Sequence, residues 1–261
     1  MTTVQTMLGT CRAGFALAAA LLLIILFAPG CAADKDARVP PRVLVAPYDS
    51  SRGEALWAVA PLANESGVSF AETGLVADAI VSKVNESRGV ACLPLNRTIG
   101  AMRARGLTAI RSPGDARMLM NALGVDALLV GSITAYDPYN PPKLGMALAI
   151  FASENRAADA VDPMKLQAAY TDQDPQVRTQ FLDKPIATIS EHFDGSNHEV
   201  QLAIQRYAAG RTEAASALGW RGMLASMDLY VEFAAHEAVS RLLEQERLRL
   251  AQPGEASQAT R

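Results

Sequence analysis

The sequence predicts an α/β fold, a mixed sheet with helices packed on it, followed by a mainly helical C-terminal region. Three observations carry this. Short apolar runs alternate with capped amphipathic segments between residues 42 and 153, the first of them in the order strand, helix, strand, and from residue 196 onward only helical periodicity remains.

At the start of the chain, Arg12 precedes the apolar run Ala13 to Phe27, which is followed by Ala28-Pro29-Gly30-Cys31. A weakly positive start, a short apolar stretch and small residues before a cleavage point make residues 1–30 a signal peptide. A Cys directly after Ala-Pro-Gly resembles the lipobox of bacterial lipoproteins, a motif in which the Cys thiol is acylated and becomes the new N-terminus. That resemblance implies lipid on Cys31 and a lipidated tether over residues 31–41. An uncleaved anchor helix is the alternative, because Ala13 to Gly30 is 18 residues long and a spanning helix needs roughly 17–25. Both readings tie the remainder to a membrane, outside the cytoplasm.

Arg42 to Pro47 and Leu56 to Leu62 are apolar runs around a polar connection and read as two buried strands. Ser69-Phe70-Ala71-Glu72 has the spacing of a capping box. Val76, Ile80 and Val84 then form one helical face, and Gly89 stands where the helix must stop. Val90 to Leu95 is the next strand, and a strand–helix–strand unit normally gives parallel neighbours. Asn96 is placed to cap a short helix ending at Gly106. Ser112-Pro113-Gly114-Asp115 starts another, with Gly124 past its end. Val125 to Thr134 and Lys143 to Ser153 are strands joined by the proline-rich turn Asp137 to Pro142.

Residues 154–195 read as an irregular insertion in which Ile186 to Phe193 is a strand candidate. The C-terminal helices occupy 196–252. Ser196-Asn197-His198-Glu199 repeats the capping-box spacing before a helix that Gly210 ends, and a long helix runs from Trp220 to about Leu250. Its apolar positions Met223, Met227, Tyr230, Ala234, Ala238 and Leu242 make a stripe that must pack on something. Residues 253–261 form a loose tail.

The composition, 50% hydrophobic and 20% charged, is that of a chain able to bury a core. Of 24 basic and 27 acidic residues only Arg12 lies within 1–30, so the rest carries 23 against 27, a formal charge of −4. Phosphate binding needs a surplus of Lys and Arg, and nucleic acid is therefore excluded as a partner. With Cys11 in the signal and Cys31 acylated, Cys92 has no disulfide partner and reads as a buried thiol. His192, His198 and His236 show no metal spacing and read as surface or lightly buried side chains. His236-Glu237 opens like a zinc-protease helix, but Ser240 stands where the second ligand would be. No phosphate loop, nucleophile elbow or Cys–His pair is present, and Asp172, Asp174 and Asp183 fall in a polar stretch where solvated charges are the norm. No cofactor, metal or catalytic residue is expected.

Two segments stand out as candidate partner contacts. Asn64, Ser66 and Gly67 lie between a strand and a helix start, where an exposed helix N-terminus can receive an anion or a neighbour's carboxylate. Asp137, Tyr139, Pro141 and Pro142 belong to a loop in which prolines fix the backbone beneath aromatic surface, and such loops cost little to order at an interface. A plain turn and a plain strand connection are the respective alternatives.

Taken together, Trp57 to Gly67 (WAVAPLANESG), Leu123 to Thr134 (LGVDALLVGSIT) and Tyr136 to Pro142 (YDPYNPP) resemble the periplasmic α/β domain of the curli-secretion-channel lipoproteins (CsgG-like). They are similar also to the N-terminal domain of the Tol-system propeller protein (TolB). The resemblance covers roughly residues 42–153 and implies a domain that assembles or recruits envelope partners without catalysis. Curli channels add membrane-barrel strands, which need about 9–11 residues of alternating pattern, and residues 154–193 contain no such pair. The sequence thus points to a lipid-anchored docking or assembly factor of the bacterial envelope. Ala32 after the Cys resembles outer-membrane-sorted lipoproteins, facing the periplasm. Homo-oligomerisation stays open, as do a small-ligand binder or enzyme on the same sheet and a subunit of a ring-shaped export channel.

Overall fold

A computed structural model of the protein describes residues 40–48, 53–153, 184–212 and 216–251. The signal segment, Cys31, the tether up to residue 39, the aspartates at 172, 174 and 183, and the tail lie outside these residues. Strand β1 (Ala55–Val59) is an interior strand of the sheet. It lies between β3 (Val90–Cys92) and β4 (Ala127–Asp137), parallel to both. A strand flanked by parallel neighbours is covered on both faces, which is why ALWAV is apolar without alternation. The short β2 (Ala63–Asn64) continues along the same side of β4. Antiparallel β5 (Lys143–Ala152) and β6 (Ala187–Asp194) complete a six-stranded mixed sheet.

Helices cover both faces. On one face, α1 (Thr73–Asn85) and the C-terminal helix α6 (Met227–Ala251) pack over Trp57, Leu129, Leu148 and Ile189. α4 (His198–Ala208) adds Ile204 and Tyr207 to the same core. On the other, α2 (Leu95–Ala104) and α3 (Pro113–Leu123) enclose a smaller cluster around Ala58, Leu119 and Leu128. The unit β1–α1–β3 is the crossover expected from the order of its elements. The stripe expected on the last helix is buried at Met223, Tyr230, Ala234, Ala238 and Leu242 and half-buried at Met227.

Several local expectations are corrected. Residues 42–47 form no strand beyond one parallel bridge, Val45 to Arg88. Prolines at 40, 41 and 47 remove backbone donors, and Val43 and Val45 stay exposed. Ser69 does not cap α1: the helix begins only at Thr73, with Glu72 before it and no side-chain cap, and residues 68–71 form a turn in which Ala71 N donates to Val68 O (3.2 Å). Asn96 sits inside the first turn of α2, which starts directly after Pro94. Ser196 gives its hydroxyl to Asp194 (2.6 Å), so Asn197 caps α4 by accepting from Glu199 N (2.8 Å). The long helix is interrupted at Ser226, whose extended backbone separates a 3-10 turn (Gly219–Arg221) and the short α5 (Gly222–Ala225) from α6.

The start of α3 follows its sequence signals closely. Ser112 Oγ accepts from Asp115 N (3.1 Å), Asp115 Oδ2 accepts from Ser112 N (3.0 Å), Pro113 occupies the first turn, and Gly124 closes the helix. At the sheet edge, Asn85 of α1 satisfies both the N–H (2.8 Å) and the C=O (3.3 Å) of Cys92, so β3 presents fewer free groups to another chain.

β4 and β5 leave no room for a side chain at Gly131, where an added Cβ would stand 2.3 Å from Ala147 O and 2.6 Å from Leu148 Cδ2. Backbone cannot yield as a flexible side chain can. Gly131→Ala is therefore expected to destabilise the protein by about 1–3 kcal/mol, read as a lower urea midpoint. An unchanged midpoint would mean that the two central strands are less tightly joined than described.

Candidate functional site

The two segments singled out in the sequence are brought to the same end of the sheet. Asn64 pairs with Ile133 near the end of β4, and the loop Asp137 to Pro142 leaves β4 a few residues later. Between them Phe70 stands edge-on to Tyr136, with ring centroids 6.2 Å apart. Burial, then the charges of Glu72 and Asp228, raises the Tyr136 hydroxyl above the ordinary phenol value. The first residues of α1 and α6 therefore reach this end as well.

The turn at 64–67 is closed on itself. Asn64 Oδ1 accepts from Ser66 N (3.1 Å) and Ser66 Oγ (2.7 Å), Asn64 Nδ2 donates to Val68 O (2.8 Å), and Ser66 Oγ accepts from Val68 N (3.2 Å). Gly67 takes a left-handed φ of 74°, which side chains with a Cβ rarely adopt. Glu65 ties the turn to the sheet by accepting from Ser132 Oγ (2.7 Å). Asp126 does the same at the other end of β1: its Oδ2 accepts from Leu56 N (2.8 Å) and its N–H donates to Leu56 O (2.7 Å). The most distinctive residues of the resemblance thus include structural ties between β1, β2 and β4.

In the loop, Asp137 Oδ1 accepts from Tyr139 N (3.1 Å), and Pro142 O accepts from Gly195 N (2.9 Å). Lys143 and Asp194 pair across its base at 3.0 Å. The Tyr139 ring, 75% exposed, projects from this fixed frame. Phe70, 59% exposed, is the other large aromatic at this end.

A third feature was not foreseen. An open groove of about 620 Å³ runs between α1, the start of α6, Tyr207 and Arg211. Lys83 lies beneath it, 4% exposed, bonded to Glu86 at 2.8 Å and to Glu232. Burial alone would favour the neutral amine, but the two carboxylates overcome it and hold the ammonium above its ordinary value. Its Nζ stands 5.9 Å from the Tyr207 ring centroid, and the Arg211 guanidinium lies 4.3 Å from the same ring. A sequence signal existed: Lys83 follows Val76 by seven residues, which returns it to the buried face of α1.

No protein-family model matches the chain, and no curated protein matches its sequence. Solved structures with a similar chain trace include lipoprotein GNA1162 from Neisseria meningitidis, at 16% identity over 53% of this chain and 81% of that one, with a TM-score of 0.36. The C-terminal domain of LpoB from Salmonella enterica matches at 9% identity over 54% and 82%, also at 0.36. Hypothetical protein CT253 from Chlamydia trachomatis matches at 10% identity over 77% and 97%, at 0.33. At these scores no likeness assigns a family or function to the chain.

Among the described residues no three His, Cys, Asp or Glu side chains stand together as a metal site, and no helix is long and apolar enough to cross a membrane. Cys92 is buried, and burial pushes its thiol up to about 12, which keeps it protonated at neutral pH. His192 and His198 are exposed, but His236 is buried, deeper than the surface or lightly buried position expected. It faces inward from α6 onto the Tyr207 ring, 4.9 Å between centroids.

Burial, reinforced by Arg211 and Lys83, lowers His236 from 6.5 to about 4. The unfolded imidazole returns to its ordinary value, so between these limits the unfolded chain binds more protons. The stability this neutral histidine contributes is full above pH 6.5 and is lost as pH falls toward about 4. Asp194, held at about 2 chiefly by Ser196, loses its contribution below that window. Urea midpoints measured across this range should fall toward acid in the wild type and fall less in His236→Gln. Equal slopes would show that His236 is not sealed in the folded state.

Proposed function

We propose that the protein is a non-enzymatic lipoprotein of the bacterial envelope, anchored by acyl chains on Cys31, that docks another envelope protein through the end of the sheet bearing Tyr139. The observation that carries the docking reading is Tyr139 itself, an aromatic ring 75% exposed on a loop whose two ends are fixed by β4 and β5. A preorganised loop spares the ordering cost of binding, about 1–2 kcal/mol for each residue that would otherwise have to be fixed. Asn64, Ser66 and Gly67, at the same end of the sheet, form a turn closed by its own side-chain hydrogen bonds. The acyl anchor rests on the signal-peptide profile and on Cys31 after Ala-Pro-Gly, and Ala32 favours the outer membrane, facing the periplasm.

Chemistry has little to work with among the described residues. The Cys92 thiol is protonated, His236 is packed against Tyr207, and the buried Lys83 ammonium is already neutralised by two carboxylates. A recruiting domain of the kind implied by the curli-channel resemblance over residues 42–153, with the C-terminal helices packed on it, fits this surface better than a small-ligand binder.

Two outcomes follow. Cys31→Ser should lose labelling by a palmitate analogue and leave the membrane fraction, since acyl chains bind at ~0.8 kcal/mol per buried CH₂. Equal labelling of the variant defeats the anchor. Tyr139→Ala should keep the wild-type melting temperature and membrane attachment while weakening crosslinks to its partner, because truncating a buried interface tyrosine often costs ~2 kcal/mol or more. An unchanged crosslinking pattern would leave the loop a strand connection.

A further inference from the structure

The groove between α1 and α6 combines an apolar floor with an acidic rim. Leu75 and Ala79 of α1 face Met223 and Leu229 across it, and Leu229 is 43% exposed. Asp78 and Asp228, both exposed, join Glu86 and Glu232 along its lining. Two cations line the groove as well, and both are committed, Lys83 to Glu86 and Glu232, so the negative charge left to the rim is carried chiefly by Asp78 and Asp228. Lys83 lies under the surface between Glu86 and Glu232. Arg211 is stacked on Tyr207 and donates to Tyr207 O (3.0 Å) and Arg42 O (3.4 Å).

From this charge pattern we infer that the groove receives an amphipathic, basic segment of the partner protein, its apolar side chains on the floor and its Lys or Arg side chains on the rim. The inference rests on the docking reading and adds where, and by what chemistry, the partner is held. A volume of about 620 Å³ takes several side chains but no helix backbone, the geometry in which anchors at helical spacing enter a groove while the backbone stays outside. Phosphate-bearing surfaces, including anionic lipid, meet the wrong sign of charge at this rim.

The experiment uses the lipidated full chain in nanodiscs of zwitterionic lipid, with empty discs as reference, and a fluorescent helical peptide of leucine and lysine. Anisotropy should show saturable binding to the protein. Asp78→Lys with Asp228→Lys should weaken it about tenfold or more, since rim charges set both attraction and choice of partner, and should create binding of the matching leucine–glutamate peptide. Leu229→Ser, with every charge intact, should weaken the first peptide as well. Equal binding of both peptides by the wild type, or equal affinity in wild type and charge-reversed protein at an unchanged melting temperature, overturns the inference. Self-association of the wild type that charge reversal abolishes would make the occupant a second copy and also overturns it. The two readings fail separately: Tyr139→Ala leaves peptide binding intact, so loss of the groove does not depend on the loop.

Discussion

The structure depends on the burial of α6. Tyr230, Phe233, Ala234, Ala238 and Leu242 are wholly withdrawn from water, and a second row at Val231, Ala235, Val239 and Leu243 widens the stripe. A helix buried over so wide an angle must lie between two surfaces, here the sheet and α1. Each large side chain fully buried contributes roughly 1.5–3 kcal/mol relative to exposure, and the alanines let the helix approach closely. Phe233 is the hub, with Phe193, Tyr207 and Tyr230 each at 5.8 Å between ring centroids. Without this helix the α1 side of β4, β5 and β6 would be exposed.

The same packing fixes what the molecule presents. Thr188 N donates to Gln245 (3.0 Å) and Glu191 pairs with Arg241 (2.8 Å), so α6 runs antiparallel to β6 and begins at the end where β4 finishes. α1 also begins there, close to Phe70 and Tyr136. The ion pair of Lys83 with Glu232 then joins the two helices beneath the groove. Only the lysine is withdrawn from water; the Glu232 side chain is 41% exposed and brings its charge to the surface beside the groove.

Much of this was readable in the sequence where signals were local and strong. The start of α3 has its Ser-Pro-x-Asp cap, β5 falls on its apolar run, β4 runs three residues beyond the expected Thr134, and the stripe on α6 falls where periodicity places it. The errors came where several partners compete for one group. Ser196 is spent on Asp194 and Asn197 takes over as cap, and residues 42–47 have the apolar content of a strand but lie among prolines that lack a backbone donor. For the candidate site, the sequence supplied Asn64 to Gly67 and Asp137 to Pro142 as separate turns. Their convergence depends on β2 pairing with β4, a long-range register that no local pattern carries. Lys83 was hidden for a different reason: a lysine on an apolar helical face is ordinarily a solvated edge, and of the two carboxylates that make its burial tolerable only Glu86 is local, Glu232 lying far along the chain.

A groove built on α1 and α6 requires that α6 be part of the same cooperative unit as the sheet. Native-state hydrogen exchange tests this most directly, since amides protected by global unfolding share one opening free energy. The amides from Tyr230 to Leu243 should exchange at the same opening free energy as those of β4 and β5, and respond identically to low denaturant. If they exchange through a smaller opening while the strands stay protected, α6 is separable from the sheet, and the groove between α1 and α6 is not held as described.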